Sequence, residues 1–221
     1  MNGVNKQGPR EKARLFGIES LSDQELLAIL IRTGYKGCSA LDIAAEILND
    51  YSLIDLPKMD LSKILEFKGI KEAKALELLT CFELTKRIAY QEIQDKDIVE
   101  SPTGLIEWLK QEIGHYQQEH FLVVFLNTKN HIISYRVIFK GTLDTSIVHP
   151  REIFKLAVQL SASRLICVHN HPSSDITPSS KDIEITKLLC MAGDTMGIPL
   201  LDHIIIGQND YYSFRANQLI D

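Results

Sequence analysis

Through the first part of the chain, apolar residues recur every three to four places, the period of a helix with one buried face. Further on they come in short unbroken runs, as buried strands do. From Leu21 the pattern predicts a helix in which Ser22 caps, Glu25 completes the capping box, and Leu26, Leu27, Ile29 and Leu30 form the apolar face, with Gly34 as the stop. A second helix is expected from about Ser39 through Ile43, Ala44, Ile47 and Leu48, and a third from Leu61 to Phe67, ending at Gly69. The longest should run from Glu72 to about Ile88, with Ala73, Leu76, Leu79, Leu84 and Ile88 on the helical period. Residues 1–95 are thus expected to form an all-helical domain.

Between Tyr90 and Pro102 the chain turns polar and charged, and a domain boundary is expected there. Residues 101–221 then read as an α/β domain. Ser101-Pro102-Thr103 signals a helix start, and Leu105, Ile106, Trp108, Leu109 and Ile113 continue that helix to Gly114. Phe121–Leu126 should be a central strand and Ile132–Phe139 its hairpin partner across Asn127-Thr128-Lys129-Asn130. A helix opening at Pro150 leads to the apolar run Leu165-Ile166-Cys167-Val168, and Leu200–Gly207 and Tyr211–Phe214 are the closing strands. Strands alternating with helices argue for a mixed sheet covered by helices.

Composition narrows the class without naming a function. A hydrophobic content of 45% suits a globular protein with a proper core, and a net charge of -5 leaves no global basic signature, so any nucleic-acid contact must be local or weak. Four cysteines without a Cys-x-x-Cys pair point away from a disulfide framework and towards a reducing, cytoplasmic setting. Met1–Arg14 has no apolar core and cannot serve as a signal peptide, and no apolar run reaches the roughly 18–20 residues that span a bilayer.

The chemistry concentrates in the stretch His169-Asn170-His171-Pro172-Ser173-Ser174-Asp175-Ile176-Thr177-Pro178-Ser179-Ser180-Lys181-Asp182, set between a strand and a helix. Side chains alternate along a strand, so His169 and His171 share a face, and Asp182 returns from the first turn of the next helix. Two imidazoles and a carboxylate make three ligands for one Zn2+ per chain, with a fourth position left for water. Taken alone, Ser179-x-x-Asp182 is equally a helix-capping box. Cys167, two residues before His169, is either a further ligand or a small core residue. A zinc hydrolase also needs a base that is not a ligand, and Glu119, directly before the strand Phe121–Leu126, is the candidate over Glu112 and Glu152, which sit in amphipathic helices. Asp202-His203 reads either as a pair that orients a ligand imidazole or as a satisfied polar pair at a sheet edge. His115, His120, His131 and His149 read as surface or loop residues.

The unbroken series His-x-His, seven residues, Ser, two residues, Asp resembles the JAMM metallopeptidase motif, and His-Asn-His-Pro-Ser with Pro178-Ser179 and Asp182 resembles its RadC branch in particular. Pro9-Arg10-Glu11-Lys12 and Leu21–Leu30 are similar to the amino-terminal domain of RadC proteins. The resemblance implies a JAMM/MPN architecture, which is cytidine-deaminase-like, with Glu119 at the start of a strand and Ser179 steadying an oxyanion. It also implies a protein or peptide substrate, cut at a peptide or isopeptide bond. Phe67-Lys68-Gly69-Ile70-Lys71-Glu72-Ala73-Lys74-Ala75 resembles a helix-hairpin-helix element, with Lys71 where the second glycine usually stands. Lys68, Lys71 and Lys74 are its expected contacts to DNA phosphates, and a DNA-associated repair accessory in which the metal is structural is the alternative function.

Overall fold

The computed structural model describes residues 8–100, 102–141 and 148–220. The chain divides into two compact units, Met1–Thr85 and Lys86–Asp221. Met1–Gln7, part of the segment read above as unable to be a leader, and Ser101, expected to begin a helix, lie outside the described residues. Among the described residues no helix is long and apolar enough to cross a membrane.

The first unit contains α1 (Pro9–Phe16), α2 (Asp23–Ile31), α3 (Ala40–Asp50), α4 (Leu61–Leu65) and the beginning of α5 (Glu72–Gln94). The sequence pattern left α1 unread, because its single apolar contact face is short and none of its residues is fully buried. Its helical start comes from Pro9 at the first turn, where a missing N–H costs nothing. Ser22 caps as expected, and Ser39 caps α3 in the same way. Each hydroxyl accepts from the backbone N–H three residues on, and Glu25 and Asp42 return the bond to the cap's own N–H. The core gathers Ile31, Ile43, Ala44, Ile47, Ile64, Ile70, Ala75 and Leu78.

The hairpin before α5 is tight. Ile70 N–H closes a turn on Phe67 C=O at 3.0 Å, and Gly69 has φ +89°, where a Cβ would stand 2.5 Å from the Tyr35 ring and 2.8 Å from Ile43. Only glycine fits that corner. Lys74 Nζ donates to Gly69 C=O at 3.0 Å and to Thr33 C=O at 2.5 Å, and Lys68 Nζ lies 5.0 Å over the Tyr35 ring. Lys68 and Lys71 are both exposed, and Lys74 is half-buried.

Beyond Ile88 the structure departs from the expected polar spacer. α5 continues to Gln94, and Ile93 and Ile98 are both buried in the second unit's core. Their spacing is hidden in sequence by the charges around them, and Asp97 secures the bend after the helix by accepting from Val99 and Glu100 N–H groups and from Asn130.

The second unit is a five-stranded mixed sheet in the order β2-β1-β3-β4-β5. Its strands are β1 (His120–Leu126), β2 (Ile132–Lys140), β3 (Arg164–Asn170), β4 (Leu200–Ile206) and β5 (Tyr211–Ser213). β3 and β4 are parallel, and the other neighbours are antiparallel. α6 (Pro102–Ile113) covers one face, and α7 (Pro150–Gln159) and α8 (Ser180–Met196), the latter being the β3–β4 crossover, cover the other. The period of two sorts the strands cleanly. Phe121, Val123, Phe125, Leu165 and Cys167 join the α7–α8 core, and Leu122, Val124, Leu126, Ile166 and Val168 join the α6 core. With both faces covered, β1 and β3 are apolar without alternation.

Leu109 is fully buried beneath α6. Leu109→Ala should therefore lower the unfolding free energy by about 2–5 kcal/mol, read as a fall in the denaturation midpoint at unchanged slope.

Candidate metal centre

The site forms where β3 keeps one neighbour and loses the other. On the β4 side the pairing runs to Asn170↔Ile206, and His171 N–H still reaches Ile206 C=O at 3.0 Å. On the β1 side it ends at Phe121↔His169. The next pair would be His120 with Asn170, and there a side chain replaces the backbone. Asn170 Oδ1 accepts His120 N–H at 2.7 Å, and its Nδ2 donates to Tyr116 C=O at 3.1 Å and Gln118 C=O at 3.2 Å. The carboxamide thus holds the peptide units on both sides of Glu119, whose own C=O accepts from Gly141 N–H at 2.8 Å. Pro172 then turns the chain away, since it has no N–H to extend the ladder.

Asn170 points to the α6 face, so by alternation His169 points to the α8 face, where Asp182 stands in the first turn of α8. His169 Nε2 is 2.9 Å from His171 Nε2 and 3.3 Å from Asp182 Oδ1, and His171 Nε2 is 3.6 Å from Asp182 Oδ2. Among the described residues this is the only group of three or more potential donors gathered so closely. His171 Nδ1 lies 2.5 Å from Asp175 C=O, which can only accept, so Nδ1 donates and Nε2 is the nitrogen left for the cluster. Ligands around one tetrahedral Zn2+ stand roughly 3.3 Å apart at ordinary bond lengths. The donor set therefore fits a metal ion.

The electrostatics agree with the chemistry of the donors. Burial, followed by the neighbouring His203, pushes His169 well below the ordinary histidine value, so its ring is neutral at physiological pH. The Asp182 carboxylate raises His171 against the effect of its partial burial. For Asp182 burial works against the charge, but His171, His169 and the Ser179 N–H and O–H outweigh it and hold the carboxyl well below the usual range. Ser179 is the cap of α8. Its N–H and hydroxyl both donate to Asp182 Oδ2 at 2.7 Å, and its oxygen accepts Asp182 N–H at 3.2 Å.

An open cleft of about 450 Å³ lies over the cluster, lined by Glu119, His171, Pro172, Ser173, Asp175, Thr177, Ser179, Lys181 and Asp182. The structure thus brings Glu119 and Ser179 to the same cleft as His171 and Asp182, while His169 is buried. It places Glu112 under Tyr135, whose hydroxyl donates to it at 3.2 Å, and Glu152 in a surface pair with Arg151, and neither lines the cleft. Cys167 lies in the apolar core, where burial pushes its thiol well up, and it stands outside the donor group.

Two histidine readings change. His120, expected on the surface, is buried at the start of β1 and stacked on Tyr116, because the Asn170 bridge draws its peptide into the sheet. Asp202 and His203 do not act as a pair. Asp202 accepts from Ser213 Oγ and Arg215 N–H, and burial raises its carboxyl. His203, fully buried on the opposite face of β4, lies with Nε2 2.9 Å from His169 Nδ1 and with Nδ1 2.6 Å from Thr186 Oγ1. Burial pushes His203 down to about 4. Thr186 carried no signal in the sequence, since its partners come from β4 and from a backbone carbonyl.

Each imidazole of the cluster should be indispensable for metal. Purified protein is expected to carry about one transition-metal ion per chain, and His169→Ala or His171→Ala should abolish this, measured by elemental analysis after dialysis. Full stoichiometry in both variants would exclude the site.

Comparison with known families accords with this geometry. Residues 99–219 match the RadC-like JAB domain, and residues 3–76 match the UPF0758 N-terminal family. A UPF0758 protein of Bacillus cereus (strain G9842) is 43% identical over 220 residues, covering 97% of this chain and 98% of the relative. One of Staphylococcus epidermidis (strain ATCC 12228 / FDA PCI 1200) is 46% identical over 206 residues, covering 93% and 91%. With both matches and relatives alike along nearly its whole length, the chain belongs to the UPF0758 family, whose second part is a RadC-like JAB domain.

Proposed function

We propose that the protein is a zinc-dependent metallopeptidase that hydrolyses a peptide or isopeptide bond. The observation that supports this most is the presence of Glu119, an acid outside the donor group, on the same cleft as His171 and Asp182. Asn170 bonds to the peptide units on both sides of Glu119 and so fixes the backbone that carries this acid, for which a binding scaffold has no use.

His169, His171 and Asp182 would hold the zinc. When bound, the ion supplies a Lewis acid for the scissile carbonyl and brings the pKa of water towards about 7. The chain's own residues do the rest. Glu119 accepts the proton of the attacking water and returns it to the departing amine, so one group serves as base and then as acid. Ser179 donates its hydroxyl to Asp182 at rest. By turning that hydroxyl towards the substrate it can steady the oxyanion, while its N–H stays on the carboxylate and keeps the helix capped. Asp182 remains charged throughout.

The test uses zinc-loaded protein incubated with a proteome-derived peptide mixture, with new amino termini read by mass spectrometry. Wild-type protein should generate them. Glu119→Gln keeps the side-chain size but removes the base, and should keep its zinc while losing about 10²–10⁴-fold in rate. Normal turnover by the zinc-loaded variant would overturn the assignment of Glu119, and loss of zinc with activity would make it a ligand or folding residue instead. Absence of new termini from the wild type would count against peptidase activity itself.

A further inference from the structure

The chain of contacts behind His169 fixes a direction for three protons. It begins at Thr186, one helical turn after Asp182 on α8. The Thr186 hydroxyl lies 2.5 Å from the backbone C=O of Asp182 and 2.6 Å from Nδ1 of His203. A hydroxyl has one proton to give, and a carbonyl can only accept. The proton therefore goes to Asp182 C=O, and the oxygen is left to accept from His203 Nδ1–H. His203 is fully buried between the Phe121 and Phe214 rings, so it is neutral and carries only that proton. Its Nε2 is bare, 2.9 Å from His169 Nδ1. His169 must then donate from Nδ1, which leaves the lone pair on Nε2 facing His171 and Asp182.

We propose that Thr186 and His203 are positioning residues that lock His169 in its Nδ1–H tautomer through a one-way hydrogen-bond chain anchored on the backbone carbonyl of Asp182. The chain starts and ends within the candidate metal centre. The residue that offers a carboxylate also supplies the carbonyl that orients the opposite imidazole. Reversal would turn the Thr186 proton towards His203 and would need a proton donor in place of that carbonyl, which can only accept. The arrangement also fixes the ring plane of His169, because a neutral imidazole with a committed Nδ1–H cannot flip without losing that bond inside an apolar wall.

Two measurements on the full chain test this, and neither requires a substrate. In metal-free protein at neutral pH, long-range ¹⁵N imidazole spectra should show both His169 and His203 as Nδ1–H tautomers. An Nε2–H or doubly protonated His203 would overturn the proposal. The second measurement is zinc affinity by chelator competition, which rests on the ligand reading proposed above. Thr186→Val removes the acceptor while keeping the shape, and should weaken zinc binding about 10–100-fold, with Thr186→Ser restoring it. His203→Phe, leaving His169 Nδ1 without an acceptor, should weaken binding by a similar factor, and Thr186→Val should add nothing in that background. Unchanged affinity in Thr186→Val, failure of Thr186→Ser to restore it, or additive losses would each overturn the proposal. Thermal melts of the metal-free variants separate a folding defect from a lost orienting bond. Failure of the peptidase reading would leave both measurements unmoved, and failure of the ligand reading would leave the tautomers as assigned.

Discussion

The second unit depends on how the end of β3 is satisfied. A strand buried on both faces must pair its backbone on both edges, yet a cleft can open only where one pairing stops. Asn170 reconciles the two demands. Its carboxamide continues the ladder towards His120 with a side chain, β1 moves away from β3, and the space created receives Glu119 from one side and His171 from the other. Because neighbours along a strand face opposite ways, the residue that bridges the gap is necessarily the one between the two histidines. The bridge and the donors occupy one tripeptide.

Burial decides the character of each group around that point. His169 and His203 are enclosed and neutral, Asp182 is enclosed but charged, with His171 and His169 beside it and the Ser179 N–H and O–H donating to its Oδ2, and His171 sits at the rim. The same carboxylate is counted twice in the architecture, as the third residue of the α8 capping box and as a member of the donor cluster. The helix start and the candidate site are therefore one construction.

Much of this was legible in the sequence because the donors lie in one contiguous stretch, so strand alternation and helix periodicity suffice to bring His169, His171 and Asp182 together. Ser22 and Ser179 were readable as caps for the same local reason. What was not legible is what crosses the sheet. Thr186 meets His203 only because α8 returns the chain to a parallel β4, and Asn170 meets residues 116–120 only through a register that no local pattern encodes. The segment after Ile88 misleads for another reason. Ile93 and Ile98 are buried among Glu92, Asp95, Lys96 and Asp97, whose charges face outward, so average polarity masks two core residues. In the helical unit, Lys68 and Lys74, singled out with Lys71 by the hairpin resemblance, also meet Tyr35, Gly69 and Thr33 across the fold, which no local pattern encodes.

The double use of Asp182 has a thermodynamic side. Oδ2 is held by Ser179 before any ion arrives, and Oδ1 is already turned towards His169. Little conformational freedom is left to lose when a cation enters, so the affinity of such a site reports ligand chemistry more than ordering. By the same linkage, an ion that favours this carboxylate geometry also favours the first turn of α8. Occupancy and the local stability of that helix start would then rise and fall together with the concentration of free metal.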